Sequence, residues 1–240
     1  MKWKTLAGRC IYQSKSGIKV KENMVYRWLT FDSNAIQTLI NRHHPSHPAM
    51  QYIQPMTMVA RANPGQSCLL GLGGAGVAHA LMGHSCLDTV ESSLDVIEIA
   101  AAFFMTSQIK NLNVIHQDAF LFVQHTEYRY QHLMVDLFNA NSFPEHCNNA
   151  EFFEHCRRVL LPNGTLAVNL ANISEQWPLF CHIRELFFQC TVSIPVKGTA
   201  NMIVLAYKGG SIKPLLNILE GQPYSKRIVW DARWGCVAEA

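Results

Sequence analysis

The chain has 240 residues, of which 49% are apolar and 15% are charged, and its formal net charge is +3. This composition allows a sizeable core and excludes global disorder. Lysine and arginine are scattered along the chain, so no nucleic-acid partner is indicated, and no apolar run is long enough to cross a membrane. Eight cysteines without a CxxC pair favour a reduced, cytoplasmic compartment over a disulfide framework.

The N-terminal part, residues 1–62, differs in pattern from the rest of the chain. Three short runs rich in strand-forming residues are broken by Ser-Gly and Glu-Asn, and they predict a small β-hairpin unit. These runs are 9–12, 18–21 and 25–31. The sequence Ala62–Gly65 contains a proline and a glycine, so it marks the predicted boundary with a main domain at 63–240.

From Ser67 onward, strand and helix patterns alternate. Strands are predicted at 67–72, 87–91, 112–116, 131–137 and 165–170, and helices at about 75–83, 94–105, 118–125, 148–160 and 175–189. Short, apolar strand patterns separated by helices indicate a parallel sheet that is covered on both faces.

The last two predicted strands, 190–196 and 202–207, are joined by only five residues. Because this link is too short for a helical crossover, the two strands should pair antiparallel. The predicted fold is therefore α/β, with a doubly wound, mostly parallel seven-stranded sheet that has an antiparallel last strand, as in methyltransferase-like folds. The residues after about Gly209 carry no clear signal.

A glycine cluster ends the first strand of this sheet and predicts a nucleoside site. The run Cys68–Gly76 passes from apolar residues into glycines, including Gly71, Gly73 and Gly74, and Glu91 lies twenty residues after Gly71. Glycines let the backbone approach a ligand closely, and a carboxylate at this spacing accepts hydrogen bonds from ribose hydroxyls. The alternatives are a simple tight turn for the glycines and a helix-capping role for Glu91.

Two further carboxylates come after the third and fourth strands. Asp118, next to Ala119, is placed to accept a hydrogen bond from an adenine amine, and Asp136 is placed to orient or deprotonate a reacting amine. The carboxyl ends of parallel strands meet at one edge of the sheet, so these acids should lie near Glu91. Asp118 is equally suited to cap the next helix, and the two roles are compatible.

The order and spacing of these motifs resemble the spermidine synthase (polyamine aminopropyltransferase) family over about residues 25–207. The stretches that carry the resemblance are Leu70–Val77, Val90–Phe104, Gln117–Ala119, Tyr130–Asp136 and Glu151–Asn169, preceded by Phe31–Met56. The resemblance implies that Glu91 binds ribose, that Asp118 binds the adenine amine and that Asp136 is the catalytic acid. It also implies that Gln37 and Tyr52 line the cleft.

The resemblance further implies a donor, decarboxylated S-adenosylmethionine, and a small amine acceptor. Members of this family commonly form dimers through the N-terminal β unit, so a homodimer is expected. No metal is expected, because the histidine-rich loop at 43–47 lacks partner cysteines or acids. His146 and Cys147 lie in the loop after the fourth strand, which overhangs the site, and both a substrate contact and a plain surface loop fit them.

This sequence also departs from the family pattern at three acids. Gly74, Asn139 and Gln54 stand where the family has carboxylates, and Asn139 is at the position that holds the diamine. A dication such as putrescine needs carboxylates to offset its desolvation. The losses favour intact S-adenosylmethionine as the donor, or an acceptor other than putrescine.

Three functions therefore remain open. Aminopropyl transfer comes first because of the resemblance, and S-adenosylmethionine-dependent methyl transfer is favoured by the missing acids. A catalytically degenerate binding module is the third. A nicotinamide dehydrogenase is disfavoured by the antiparallel closing pair and by the acid after the third strand.

Overall fold

The computed structural model describes residues 2–31, 36–84, 86–138 and 143–239. Two sheets form within these ranges. The first has four strands and the second has nine.

The small N-terminal sheet is an antiparallel meander whose strands are neighbours in chain order. Its strands are β1 (Arg9–Gln13), β2 (Lys19–Glu22), β3 (Tyr26–Thr30) and β4 (Ile36–Asn41). The first three strands match the predicted runs. Strand β4 was not predicted, because Gln37 and Thr38 interrupt its apolar pattern where the strand faces a cavity.

Seven strands of the large sheet reproduce the predicted architecture. Five parallel strands are β5 (Ser67–Leu70), β6 (Leu87–Glu91), β7 (Leu112–His116), β8 (Tyr130–Val135) and β9 (Leu160–Leu170). The last two are β10 (Thr191–Pro195) and β11 (Met202–Tyr207). Strand β11 lies between β9 and β10 and runs antiparallel to both. The α/β fold class with its mostly parallel sheet is confirmed.

The C-terminal residues extend this sheet from seven strands to nine. After helix α7 (Lys213–Leu219), a hairpin of β12 (Arg227–Asp231) and β13 (Gly235–Glu239) adds to the edge, with β13 parallel to β10. The Asp231 side chain accepts hydrogen bonds from the backbone N–H groups of Arg233 and Trp234, both at 2.8 Å, and so closes the turn. Strand β12 is partly exposed, so its sequence has no apolar pattern to signal it.

Helices cover both faces of the large sheet. They are α1 (Ile53–Ala62), α2 (Gly76–Ala80), α3 (Leu94–Phe103), α4 (Ala119–His125), α5 (Ala150–Val159) and α6 (Trp177–Leu186). Side chains alternate along each strand, so Leu69 packs in the core under α1 and α2 whereas Leu70 packs under α4 and α5. None of the helices in the described ranges is both long and apolar enough to cross a membrane.

Helix α1 precedes the predicted domain boundary, yet it packs on the large sheet. Its Ile53 and Met56 are buried in the same core as Leu69 and Met134. The division at residues 62 and 63 therefore stays a prediction. The small sheet packs on α3 through residues such as Leu29. This contact places β4 over the glycine loop.

Candidate active site

A cavity of about 1120 Å³ opens where the small sheet meets the carboxyl ends of the large sheet's strands. Parallel strands present their loops at this edge, which is where doubly wound folds bind ligands. Six of the predicted site residues line it: Gln37, Tyr52, Gly71, Gly73, Glu91 and Asp136. The structure thus brings these six residues together around one cavity, and their roles stay predictions.

Asp136 comes directly after β8 and is held by two side chains. The Tyr52 hydroxyl donates to Oδ2 of Asp136 at 2.8 Å, and the Asn169 amide donates to Oδ1 at 2.9 Å. The Asn201 side-chain amide donates in turn to Oδ1 of Asn169 at 2.8 Å. This chain of amides fixes the plane of the carboxylate, because both of its oxygens have a directional partner.

The environment of Asp136 makes it a stronger base than an ordinary aspartate. Burial raises the pKa of its carboxyl group, and the hydrogen bonds from Asn169 and Tyr52 only partly oppose this effect. The pKa of the Tyr52 phenol is raised well above its usual range, chiefly by burial and then by the neighbouring Asp136 charge. Tyr52 thus remains a neutral hydrogen-bond donor, and Asp136 is the group in the pair that can take up a proton.

Gly71 brings the loop after β5 against the backbone of Asp136. Its φ is +96°, and a Cβ there would lie 2.4 Å from the Asp136 carbonyl oxygen. Only glycine tolerates both this positive φ and so short a distance to a backbone oxygen. Gly73 also has a positive φ, of +50°, and a Cβ there would lie 2.9 Å from Thr38 Oγ1.

Glu91 at the end of β6 ties the glycine loop to helix α3. Its carboxylate accepts the Leu72 N–H at 3.1 Å and the Ser93 N–H at 3.0 Å. The N-cap of α3 is Ser93, whose side chain accepts the Val96 N–H at 3.3 Å. Glu91 is therefore not itself the cap. It lines the cavity with its oxygens anchored on the backbone.

Asp118 is the N-cap of α4, in agreement with one of its two predicted roles. Its Oδ1 accepts the Leu121 N–H at 3.0 Å, and His146 Nε2 lies 2.8 Å from Oδ2. Asp118 and Ala119 line a smaller hollow of about 60 Å³, which shares Gly71 and Glu91 with the large cavity. The part of the overhanging loop that carries His146 thus contacts a predicted site residue.

The structure does not place Gly74 on the cavity wall. Its N–H donates to Thr38 Oγ1 at 2.9 Å, and a Cβ there would lie within 2.9 Å of both Thr38 and Phe104. The position where the resemblance implies an acid could therefore take a side chain only if Thr38 and Phe104 shifted. Asn139, the other predicted site residue that departs from the family pattern, lies outside the described residues.

Several cavity residues could not be predicted because they come from distant parts of the chain. Asn201 reaches the site only through tertiary packing, and so do two lysines, Lys4 and Lys197. Lys4 donates to the Ala49 carbonyl oxygen at 2.7 Å. Asn169 lies near the end of β9, in a stretch that carries the family resemblance. Its position could therefore have marked it as a site residue.

The described ranges contain no group of three or more His, Cys, Asp or Glu side chains that could hold a metal ion. In the histidine-rich loop, the rings of His44 and His47 lie 5.7 Å apart. This loop contributes no residue to either cavity.

Comparison with known proteins gives a consistent result. The profile of the spermine/spermidine synthase domain matches residues 48–206. A polyamine aminopropyltransferase from Chromobacterium violaceum is 22% identical over 199 residues, which are 80% of this chain and 76% of that protein. Such relatives are transferases, in agreement with the expected enzyme class.

Two solved structures share the fold. A probable spermidine synthase from Corynebacterium glutamicum superposes with a TM-score of 0.70 at 17% identity, over 90% of this chain and 88% of the other. A spermidine synthase in complex with the transition state analogue AdoDATO gives a TM-score of 0.67 at 16% identity, over 85% and 75% of the two chains.

Proposed function

Because the chain belongs to the spermine/spermidine synthase family, we propose that it transfers an aminopropyl group from decarboxylated S-adenosylmethionine to a small amine. The observation that carries this proposal is the Asp136 carboxylate. It faces the cavity, and Tyr52 and Asn169 hold it at 2.8 and 2.9 Å. A fixed, basic carboxylate is what an attacking amine needs to lose its proton.

The other predicted residues around the cavity would bind the donor. Glu91 would accept hydrogen bonds from the ribose hydroxyls, and Asp118 would accept one from the adenine amine. Gly71 and Gly73 let the loop lie close under the rest of the donor. These groups fit an adenosine, because the two carboxylates lie on hollows that share Gly71 and Glu91. The donor supplies a sulfonium, which is already a good leaving group, so much of the rate should come from positioning.

A second candidate, methyl transfer from S-adenosylmethionine, is favoured by one observation. Thr38 and Phe104 fill the space that a side chain at position 74 would need, so no acid there can repel the carboxylate of the intact donor. Both candidates use Asp136 in the same way, and they differ in the carbon that the amine attacks.

The thioether product distinguishes the candidates. The purified protein is incubated with each donor and a panel of amines, and the products are separated by chromatography. Release of 5′-methylthioadenosine supports aminopropyl transfer, and release of S-adenosylhomocysteine supports methyl transfer. An Asp136→Asn variant should lose either activity by about a hundredfold. If neither donor nor either thioether raises the melting temperature and no product forms, only the catalytically degenerate interaction module is left.

A homodimer and a cytoplasmic location stay predictions. Size-exclusion chromatography with light scattering tests the first. The second needs localisation of the tagged protein in cells.

A further inference from the structure

We propose that the acceptor carries a carboxylate as well as its reacting amine, and that Lys4 binds this carboxylate in the large cavity. The acceptor would then be an ω-amino acid rather than a diamine. This inference rests on the aminopropyl transfer proposed above and names the substrate class for the same site.

Lys4 lies on the cavity wall in a setting that suits an anion. Its ammonium group donates to the Ala49 carbonyl oxygen at 2.7 Å and lies 5.8 and 5.5 Å from the ring centroids of Trp3 and Tyr26. An ammonium has three donors, and no carboxylate pairs with this one within the described residues. Burial lowers the pKa of Lys4. A bound carboxylate would offset that desolvation.

The structure connects Lys4 to the reacting end of the cavity. Lys4 donates its hydrogen bond to the carbonyl oxygen of Ala49, and Ala49 begins a cavity-lining segment that ends at Tyr52. The Tyr52 hydroxyl in turn donates to the Asp136 carboxylate. Glu91 instead takes both of its hydrogen bonds from Leu72 and Ser93, beside α3. Lys4 thus contacts the wall segment that carries Tyr52, whereas the proposed ribose ligand is anchored beside α3.

A second lysine reaches the same region from the loop between β10 and β11. Lys197 lines the cavity, and so does Asn201, which bonds to the Asn169 amide that holds Asp136. The side chain of Lys197 is exposed. It can therefore move toward an anion in the cavity mouth at little cost.

The charges of the described cavity residues match a zwitterion better than a dication. Asp136 and Glu91 are balanced by Lys4 and Lys197. A diamine would bring two positive charges to a region that offers Asp136 as its carboxylate and places two lysines nearby. An amino acid brings one positive charge for Asp136 and one negative charge for the lysines.

The transfer step is the same for either acceptor. The amine nitrogen forms a bond to the carbon next to the sulfonium, and the carbon–sulfur bond breaks. Its electron pair stays on sulfur, which leaves as the neutral thioether 5′-methylthioadenosine. The proton displaced from nitrogen goes to Asp136 and then to solvent. The acceptor's carboxylate does not react.

The test compares 1,4-diaminobutane with 5-aminopentanoate, in which the same four methylene groups separate the amine from the second charged group. Release of 5′-methylthioadenosine from decarboxylated S-adenosylmethionine gives kcat/KM for each. We expect about a tenfold preference for 5-aminopentanoate, and about a tenfold loss of that activity in Lys4→Met. Lys4→Glu should reverse the preference. Lys226→Met, an exposed lysine outside the cavity, is the matched control and should change neither value.

Failure of this inference can be told apart from failure of the proposed function. If 1,4-diaminobutane is the better acceptor and Lys4→Met changes nothing, the inference is wrong but aminopropyl transfer stands. If neither acceptor yields product, the panel of amines described above tests the transfer itself, and calorimetry with the two acceptors tests the lysine site. Binding of 5-aminopentanoate that weakens in Lys4→Met supports the lysine site, and its absence overturns it. If Lys4→Met weakens binding of S-adenosylmethionine instead, the lysine holds a donor carboxylate and the inference is also overturned.

Discussion

The Tyr52 hydroxyl donates a 2.8 Å hydrogen bond to the Asp136 carboxylate, across 84 positions of sequence. Tyr52 stands at the start of α1 and Asp136 stands at the end of β8. Through this bond, the segment that joins the two sheets sets the orientation of the proposed base. Because the same bond lowers the pKa of Asp136, the packing of α1 against the large sheet affects the protonation of the proposed base.

Removing this hydrogen bond should change both the rate and its pH dependence. Because the Tyr52 bond lowers the pKa of Asp136, Tyr52→Phe should raise that pKa further. We expect the acidic limb of the kcat/KM profile to move to higher pH, with about a tenfold lower rate at neutral pH. Tyr128→Phe, an exposed tyrosine outside the cavity, should leave the profile in place. An unchanged acidic limb in Tyr52→Phe would show that Asp136 is not the titrating base.

Asp136 should also make the protein less stable as the pH rises. Its pKa in the folded protein is raised, so the folded state binds a proton more tightly than the unfolded state does. The stability that this proton provides is complete below the unfolded pKa of Asp136, and it is lost as the pH rises through the folded pKa. Asp136→Asn should therefore melt at a higher temperature than the wild type at neutral pH, and the difference should vanish in acid. Differential scanning calorimetry at several pH values measures the difference in melting temperature. An equal difference at every pH would contradict the prediction.

The glycine at position 71 should tolerate no substitution. Gly71→Ala combines a positive φ with a Cβ 2.4 Å from a backbone oxygen, so it should cost more than about 1 kcal/mol of the free energy of unfolding. Gly221→Ala is the matched control, because Gly221 has a φ of +76° with nothing within 4 Å. That control incurs only the backbone strain. Urea unfolding gives the free energy of unfolding of both variants. Equal losses would show that the close contact with the Asp136 backbone adds nothing to the cost of Gly71→Ala.

The two roles of Asp118 can be separated by one substitution. Asparagine caps helices about as well as aspartate, so Asp118→Asn should melt close to the wild type. We expect it to bind 5′-methylthioadenosine about tenfold more weakly, because the charged acceptor for the adenine amine is lost. Isothermal titration calorimetry gives the affinity. Full affinity in Asp118→Asn would assign the residue to capping and to His146 alone.

The parts of the molecule with local signals could be predicted from the sequence. Short strands such as β5 and β6 alternate with helices, and topology places the residues at the carboxyl ends of the parallel strands, so Glu91 and Asp136 could be assigned to one edge. Asp118 could be assigned by the same logic. Gln37 and Tyr52 lie on other elements and could be assigned only through the family resemblance.

The remaining site residues depend on tertiary packing that no local pattern encodes. Lys4 reaches the cavity because the short 3-10 helix Lys2–Thr5 packs near Ala49, to which Lys4 donates a hydrogen bond. Thr38 reaches Gly74 because β4 lies over the glycine loop. The hairpin of β12 and β13 was missed for a different reason. Its strands add to an exposed edge, so they lack the apolar alternation that marks a buried strand.

The packing around Gly74 constrains how this site could change over evolutionary time. A substitution to aspartate would bring a Cβ within 2.9 Å of Thr38 and Phe104, so both neighbours would have to shift to admit a carboxylate there. Phe104 is fully buried against α3, and shrinking it would open a void beneath the small sheet. An acid at position 74 would therefore come at a cost to the packing beneath the small sheet.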